Sequence, residues 1–182
     1  MAPRAKVQPT QVEVTFDRDE VIVSKTDPTG RITYANDVFL KVADYRASEV
    51  LGMPHNMIRH PEMPRCVFQL LWDTIQKGDE IFAYVVNLTK NGDHYWVLAH
   101  VTPTFDEAGK IIGFHSNRRT PDRSAIQAIR PIYARLCEIE GRHASKRDGI
   151  AAATEELLAL LANNGVSYGE FVFGLVEKET AQ

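Results

Sequence analysis

Three strand-like stretches in the middle of the chain constrain its fold more than any other feature. They cover residues 81–89, 94–104 and 110–118. The turn signals between them are Asn91-Gly92, a dipeptide that favours a tight type I′ hairpin, and the sequence from Asp106 to Gly109. Strands joined by such short turns are antiparallel neighbours, so this part of the chain predicts a three-stranded meander.

A hairpin and several helices precede the meander. Residues 21–24 and 31–34 predict two strands joined by the turn Asp27-Pro28-Thr29-Gly30. Helical spacing of apolar residues then predicts helices at 36–42, around 48–51 and at 64–77. The order hairpin, helices, meander predicts an α+β fold in which one five-stranded antiparallel sheet carries helices on one face.

A C-terminal helical extension follows the sheet. A helix is predicted from about 124 to 140, with a stripe of apolar residues at four- and three-residue steps: Ala125, Ile129, Ile132, Leu136 and Ile139. After the polar stretch 141–149, a second helix presents Ile150, Thr154, Leu157, Leu158 and Leu161 and ends near Gly165, and a third starts at the capping box Ser167 to Glu170. The stripe predicts a contact with a second protein or a second subunit. The alternative, in which the second helix folds back over the stripe, stays open.

Composition excludes several classes of protein. The chain has 182 residues, 44% of them hydrophobic and 25% charged, which is typical of a globular protein. Its net charge of −3 does not indicate the positively charged surface that binds nucleic acid. Two distant cysteines indicate neither a zinc site nor a disulfide framework. Neither a secretory signal nor a bilayer-spanning run is apparent in the sequence, so we expect a soluble, cytoplasmic protein without direct membrane insertion. The expected division is an N-terminal segment 1–19, a sensor domain 20–121 and a helical extension 122–182.

Catalytic and metal-binding motifs give no support for an enzyme. The sequence contains no G-x-S-x-G elbow, no Walker A loop and no G-x-G-x-x-G, and both cysteines lie in apolar, helical contexts. The spacing of the histidines does not favour shared coordination of a metal, although His60 or His100 could serve alone as an axial haem ligand. We therefore predict that the protein is not an enzyme.

The loop 55–64, with the sequence HNMIRHPEMP, is the strongest candidate for a binding element. It concentrates hydrogen-bonding side chains, and Pro61 and Pro64 stiffen it ahead of the amphipathic helix 64–77. Such a loop suits a ligand with phosphate groups or heteroaromatic edges. The alternative is a helix-entry loop whose histidine and arginine side chains satisfy backbone carbonyls.

Four segments together resemble a known family. Asn36-Asp37, the loop 55–64, Trp72 and the sequence KNGDHYWV at 90–97 are similar to the PAS domain of bacterial aerotaxis receptors, over about residues 20–120. The resemblance implies a PAS fold, non-covalently bound FAD and a report of redox state to the chemotaxis machinery. The chain looks most similar to short, stand-alone energy-taxis PAS proteins that work beside a separate chemoreceptor.

The resemblance also implies a set of FAD-binding residues. Arg59 and His60 match the family's flavin-contacting pair, and Glu62 stands where most members have aspartate. The other implied residues are Asn36, Asn56, Trp72 and Asn87. Ile81 stands where many members have tryptophan, so we expect weaker stacking on the flavin rings.

Reduction of a flavin turns a hydrogen-bond acceptor near N5 into a donor. A side-chain amide that can rotate, such as that of Asn87 or Asn36, would sense this change. The strand 111–117 would then pass the change to the helix that follows it. Two other functions stay open, which are a cofactor-free PAS interaction or dimerisation module and a haem-based gas sensor.

Overall fold

The computed structural model describes residues 7–177 and contains a five-stranded antiparallel sheet in the order β2-β1-β5-β4-β3. The strands are β1 (Ile22–Thr26), β2 (Ile32–Ala35), β3 (Ile81–Leu88), β4 (His94–Phe105) and β5 (Ile111–Arg119). The helices are α1 (Asp37–Ala43), α2 (Ala47–Val50), α3 (Arg65–Ile75), α4 (Arg123–Gly141), α5 (Lys146–Asn164) and α6 (Tyr168–Glu177). The predicted sheet, its helices and the helical extension are confirmed.

Helices α1 to α3 lie on one face of the sheet, called the inner face here. On that face the ring of Trp72 in α3 meets the ring of Phe114 in β5 edge-on, with centroids 5.4 Å apart. A 3₁₀ turn, His55–Ile58, and the loop after it connect α2 to α3. An isolated bridge between Arg59 and Asn87 fixes this loop against the outer edge of β3. The proline-stiffened loop therefore lies beside the sheet, where its side chains can reach the inner face.

The hairpin between β3 and β4 is larger than predicted. Thr89 donates to the carbonyl of Asp93 and Gly92 donates to that of Thr89, and of the pair Asn91-Gly92 only Gly92 has a positive φ (98°). A type I′ turn needs positive φ at both positions, so the predicted turn type is wrong. Gly92 is required for a second reason, because a Cβ there would lie 2.1 Å from the carbonyl oxygen of Gln8.

The N-terminal segment joins the sheet. The Val14 amide donates a hydrogen bond to the carbonyl of His94, and the His94 amide donates one to the carbonyl of Val12. This segment therefore pairs with the start of β4, a part of the strand that does not pair with β5. The Arg123 guanidinium binds both carboxylate oxygens of Glu13, at 2.7 and 2.9 Å. These contacts tie the segment before residue 20 both to the sheet and to the first turn of α4.

Helices α4 and α6 cover the outer face of the sheet. The Tyr133 hydroxyl in α4 donates to the carbonyl of Tyr84 in β3, and the ring of Phe173 in α6 lies 4.9 Å from that of Phe82. Helix α5 packs on α4 and α3. One buried cluster joins sheet residues to Leu136, Leu157 and Val172. The helical extension thus shares its core with the sheet.

The apolar stripe of α4 is buried within the chain. Ala125, Ile129 and Leu136 are at most 1% exposed, and Ile132 and Ile139 are partly buried against the same core. The prediction that this stripe forms the contact with a second protein or a second subunit is therefore wrong, because the stripe packs inside the chain in a core shared by the sheet and α5.

Helix α5 begins four residues before the predicted position. Ser145 is its N-cap and accepts a hydrogen bond from the amide of Asp148. Gly149, taken from the sequence as part of a break, lies inside the helix, where a Cβ would come within 2.6 Å of the carbonyl oxygen of Glu140. The glycine therefore permits close packing of α5 on the end of α4. None of the helices in the described range 7–177 is long and apolar enough to cross a bilayer.

Candidate functional site

A cavity of about 330 Å³ lies between the inner face of the sheet and α3. This volume falls within the range of small-molecule sites, about 300–1,000 Å³. Strand residues Val85, Ala99 and Val101 give it an apolar floor, and Phe68 and Leu71 of α3 form the opposite wall. Ile150 of α5 also lines the cavity, so the helical extension contributes to its boundary.

A buried arginine lies at the inner end of the cavity. Arg118 at the end of β5 is 3% exposed, and its Nη2 donates to Ser24 Oγ at 2.7 Å and to His55 Nε2 at 2.6 Å. Burial lowers the pKa of the guanidinium to about 10, which leaves it charged at neutral pH. Because neither of these partners is acidic, this positive charge is not compensated within the group.

His55 is held as a neutral imidazole beside Arg118. A guanidinium can only donate hydrogen bonds, so His55 Nε2 must be an acceptor and carry no proton. Burial and the neighbouring charge of Arg118 lower the pKa of His55 from 6.5 to about 3. His55 therefore adds no charge at neutral pH, and the group Arg118, His55 and Ser24 carries one net positive charge.

Three polar atoms around the cavity have no hydrogen-bond partner. Within the described residues, Asn87 Nδ2, Ser116 Oγ and Arg118 Nη1 are buried and unsatisfied, and all three residues line the cavity. Leaving a buried donor without a partner costs about 1–3 kcal/mol, and more for a charged group. A polar molecule held in the cavity could serve as their hydrogen-bond partner.

The mouth of the cavity is also positively charged. Arg59 lies over the ring of Phe68, 4.4 Å from its centroid, and donates to the carbonyl of Met63 at 3.2 Å. Arg65 lines the same cavity, whereas no acidic side chain of the described chain does. The arrangement suits a ligand with a planar ring system inside and anionic groups towards the mouth.

Trp72 forms one wall of the cavity with the help of a glycine. Gly30, in the turn between β1 and β2, has a φ of +81°, and a Cβ there would come 2.9 Å from the indole ring. Gly30 is thus required both by its backbone conformation and by its close approach to Trp72. This contact and the edge-on contact with Phe114 fix the indole as a flat surface beside the cavity.

Four of the seven residues implied by the resemblance line the cavity: Asn56, Arg59, Trp72 and Asn87. Asn36 does not. Its Oδ1 accepts from the amides of Val23 and Phe39, and its Nδ2 donates to the carbonyl of Val21. An amide with all these partners cannot rotate freely, so of the two amides named from the sequence only Asn87 lines the cavity.

His60 and Glu62 also lie away from the cavity lining. His60 is buried, its Nδ1 accepts from the amide of Glu62, and its ring lies 5.8 Å from that of His94. Burial lowers the pKa of His60. The Glu62 side chain is exposed. In this structure both residues shape the loop.

The structure also locates the two candidate haem ligands and Ile81, the residue that stands where many family members have tryptophan. His60 and His100 do not line the cavity, and His100 stacks on Phe82 on the outer face, with centroids 4.1 Å apart. Ile81 packs in a second core cluster with Ile75 and Phe114 and does not line the cavity. No group of three or more metal-ligating side chains occurs among residues 7–177.

The neutral state of His55 predicts a specific pH dependence of stability. The unfolded chain takes up a proton on this histidine near pH 6.5, whereas the folded chain does so only near pH 3. Stability due to His55 is therefore complete above pH 6.5 and is lost as the pH falls towards 3, at up to about 1.4 kcal/mol per pH unit. Urea unfolding at pH 7 and pH 4.5 measures the loss.

His55→Gln should show a smaller loss of stability between pH 7 and pH 4.5 than the wild type. His143→Gln is the matched control, because His143 is exposed in the turn between α4 and α5. An equal loss of stability in wild type, His55→Gln and His143→Gln would contradict a buried neutral His55.

Comparison with known proteins gives the same fold. The model of the PAS fold matches residues 32–118. A blue-light photoreceptor structure, that of the aureochrome-1 LOV domain, superposes with a TM-score of 0.52 at 25% identity and covers 66% of this chain and 84% of that one. A light-oxygen-voltage domain studied with a flavin analogue gives a TM-score of 0.54 at 21% identity, covers 60% and 82%, and supports the fold alone.

Sequence relatives include an aerotaxis receptor and a biofilm dispersion protein. The aerotaxis receptor of Escherichia coli is 42% identical over 127 residues, which cover 70% of this chain and 25% of the receptor. The biofilm dispersion protein BdlA of Pseudomonas aeruginosa is 29% identical over 87 residues, which cover 47% of this chain and 21% of BdlA. The chain thus spans about a quarter or less of the length of these relatives. The predicted resemblance to the PAS domain of aerotaxis receptors is confirmed, and the chain contains a PAS domain similar to that of the E. coli aerotaxis receptor.

Proposed function

We propose that this protein is a cytoplasmic redox sensor that binds FAD without a covalent bond and reports its redox state to a signalling partner. The observation that carries the proposal is the cavity with three unsatisfied polar groups, Asn87, Ser116 and Arg118. The similarity to the aerotaxis receptor supports a sensory role for a PAS domain with such a cavity. In this proposal the protein is not an enzyme.

The residues of the cavity fit a flavin nucleotide. Trp72 and the apolar floor would contact the planar ring system, while Asn87, Ser116 and Arg118 would hydrogen-bond its polar edge. Arg59 and Arg65 would bind the phosphates at the mouth. A bound flavin would supply a reversible redox centre whose ring N5 changes from acceptor to donor on reduction.

Asn87 is the residue that we propose to respond to that change. Its Nδ2 has no partner in the described structure, and its backbone bridges to Arg59, so a reoriented amide would act on the binding loop. Uncompensated positive charge on Arg118 favours added negative charge on the ligand. The partner that we propose is a chemoreceptor or another signalling protein, with a second copy of the chain as a homodimer partner.

An absorption spectrum of gently purified protein, followed by acid precipitation, tests the proposal. A flavin spectrum and release of FAD into the supernatant would support it, and chromatography would distinguish FAD from FMN. A Soret band would indicate haem. Colourless protein after incubation with FAD would refute the sensor proposal and favour a cofactor-free interaction module.

Replacement of Asn87 should change the reduction potential more than the affinity. Asn87→Ala removes a side chain that can both donate and accept, so we expect the midpoint potential of the bound flavin to shift by about 20–30 mV, equivalent to one net hydrogen bond. Spectroelectrochemical titration measures the shift. Asn117→Ala is the control, because Asn117 lies on β5 with its side chain bonded to His115 and does not line the cavity. Equal potentials in both variants would contradict the role of Asn87.

A further inference from the structure

A carboxylate from the helical extension reaches the start of α3. Glu140, in the last turn of α4, is only 7% exposed. Its Oε1 accepts a hydrogen bond from the backbone amide of Cys66 at 2.8 Å, and its Oε2 lies 3.9 Å from Arg65 Nη1. Residues 74 positions apart in the sequence are therefore joined by a buried, charge-assisted hydrogen bond.

Helix α3 needs such a partner. The first amides of a helix have no acceptor within the helix, and its N-cap residue, Pro64, offers no side-chain acceptor. A carboxylate at this end also interacts favourably with the helix dipole. Glu140 thus supplies from α4 the cap that the local sequence lacks, at the start of the helix that forms a cavity wall.

Two further contacts connect the same end of α4 to the cavity. The Cys137 thiol donates to the carbonyl of Glu62 at 3.3 Å, so α4 also contacts the binding loop before α3. Gly149 lets α5 pack closely on the backbone of Glu140, and the next residue, Ile150, lines the cavity. The junction of α4 and α5 therefore reaches the cavity both through the loop and directly.

We propose that Glu140 is a positioning residue that holds the loop 59–66 and the start of α3 in the ligand-binding arrangement and thereby couples the cavity to the helical extension. The identity of the ligand in this inference rests on the proposed function. Coupling between two sites is reciprocal in free energy. A substitution that loosens the α4–α5 junction should therefore weaken ligand binding, and bound ligand should stabilise the junction. Glu140 is not itself a lining residue of the cavity, and it reaches the lining only through its neighbour Arg65.

The test uses the full chain with Glu140→Gln and Glu140→Ala. Glu138→Gln is the matched control, since Glu138 lies in the same helical turn, is exposed and pairs only with Arg142 in the described contacts. In ligand-free protein, we expect amides of 59–68 to exchange with deuterium about tenfold faster in Glu140→Ala than in the control, from loss of one charge-assisted hydrogen bond. Glu140→Gln should show a smaller increase because its amide oxygen can still accept.

The second readout is the release of FAD from loaded protein, followed by the recovery of flavin fluorescence. We expect release to be about tenfold faster in Glu140→Ala than in Glu138→Gln, since the same hydrogen bond is lost. Exchange at 59–68 equal to the control would overturn the proposal, as would faster exchange with FAD release at the wild-type rate. Faster exchange that extends equally to β1 and β2 would indicate general unfolding and would also overturn it.

Failure of the two proposals can be told apart. Wild-type protein that never takes up FAD would refute the proposed function, whereas the ligand-free exchange would still decide whether Glu140 positions the loop. If Glu140→Ala does not fold, Glu140→Gln provides the same comparison, with a smaller expected increase.

Discussion

Replacement of Arg118 by methionine is expected to abolish tight flavin binding without unfolding the protein. The side chain is buried, and its hydrogen-bond partners, Ser24 and His55, are both uncharged, so the free protein bears the cost of burying its charge. Loss of a buried charged donor to the ligand should weaken binding by about 2–4 kcal/mol, or roughly 30- to 800-fold in Kd. Titration with FAD, followed by flavin fluorescence, measures the change.

The stability of Arg118→Met should equal or exceed that of the ligand-free wild type. Ser24 Oγ lies 3.1 Å from His55 Nε2, so these two groups can bond each other once the guanidinium is removed. Arg119→Met is the matched control, because Arg119 is the exposed neighbour on the same strand. Unchanged FAD affinity in Arg118→Met would show that the ligand does not use this charge. Collapse of the fold would show that Arg118 has a structural role instead.

Replacement of Leu136 by aspartate is expected to unfold the protein. Leu136 is 1% exposed in the core shared by the sheet and the extension, and the change both removes apolar packing and buries a carboxylate. Loss of the packing alone costs about 2–5 kcal/mol, so the total should exceed about 4 kcal/mol. Urea unfolding followed by circular dichroism measures this loss, with Leu158→Asp as the control because Leu158 on α5 is 55% exposed.

Leu136→Asp also distinguishes packing of the α4 stripe within the chain from the contact between molecules that the sequence predicted. If the stripe on α4 were a contact between molecules, Leu136→Asp would stay folded and elute at a smaller mass. Packing within the chain predicts loss of the fold for Leu136→Asp and little change for Leu158→Asp. A folded Leu136→Asp variant with an unchanged urea midpoint would contradict the packing described here.

Local patterns predicted the elements of the fold because each depends on nearby residues. The turn Asp27 to Gly30, the apolar spacing in 64–77 and the capping box at Ser167 each act over a few positions, and the structure contains all three features. The covering of the α4 stripe could not be decided in this way. It depends on whether α5 folds back, and the sequence pattern of an exposed stripe and of a covered one is the same.

The candidate site was predicted only in part, and for a physical reason. Asn87 and Trp72 came from the resemblance. Arg118, His55 and Ser24 were missed as a group because β5, the loop 55–64 and β1 meet only in the folded chain. An unsatisfied guanidinium cannot be recognised from a sequence in which other arginines make surface ion pairs. Asn36 was predicted to bind the flavin, but it does not line the cavity. An asparagine before a helix is a common N-cap, and Asn36 has that role at the start of α1.

Gly149 and Glu140 show the same limit at the extension. A glycine and a polar stretch after α4 predicted a break, but the glycine is needed for contact between two helices. Glutamate is usually a surface residue, and only the hydrogen bond from the Cys66 amide identifies Glu140 as a cap. Both residues act through partners that are distant in the sequence.

The most direct test of the sensor account compares hydrogen exchange of the FAD-loaded protein in its oxidised and chemically reduced states. Reduction of the flavin should change exchange in the loop 59–66 and at the junction of α4 and α5, around residues 140–150, and Asn87→Ala should diminish both changes. Exchange in α1 should stay constant. Full reduction of the flavin with identical exchange throughout the chain would contradict the account.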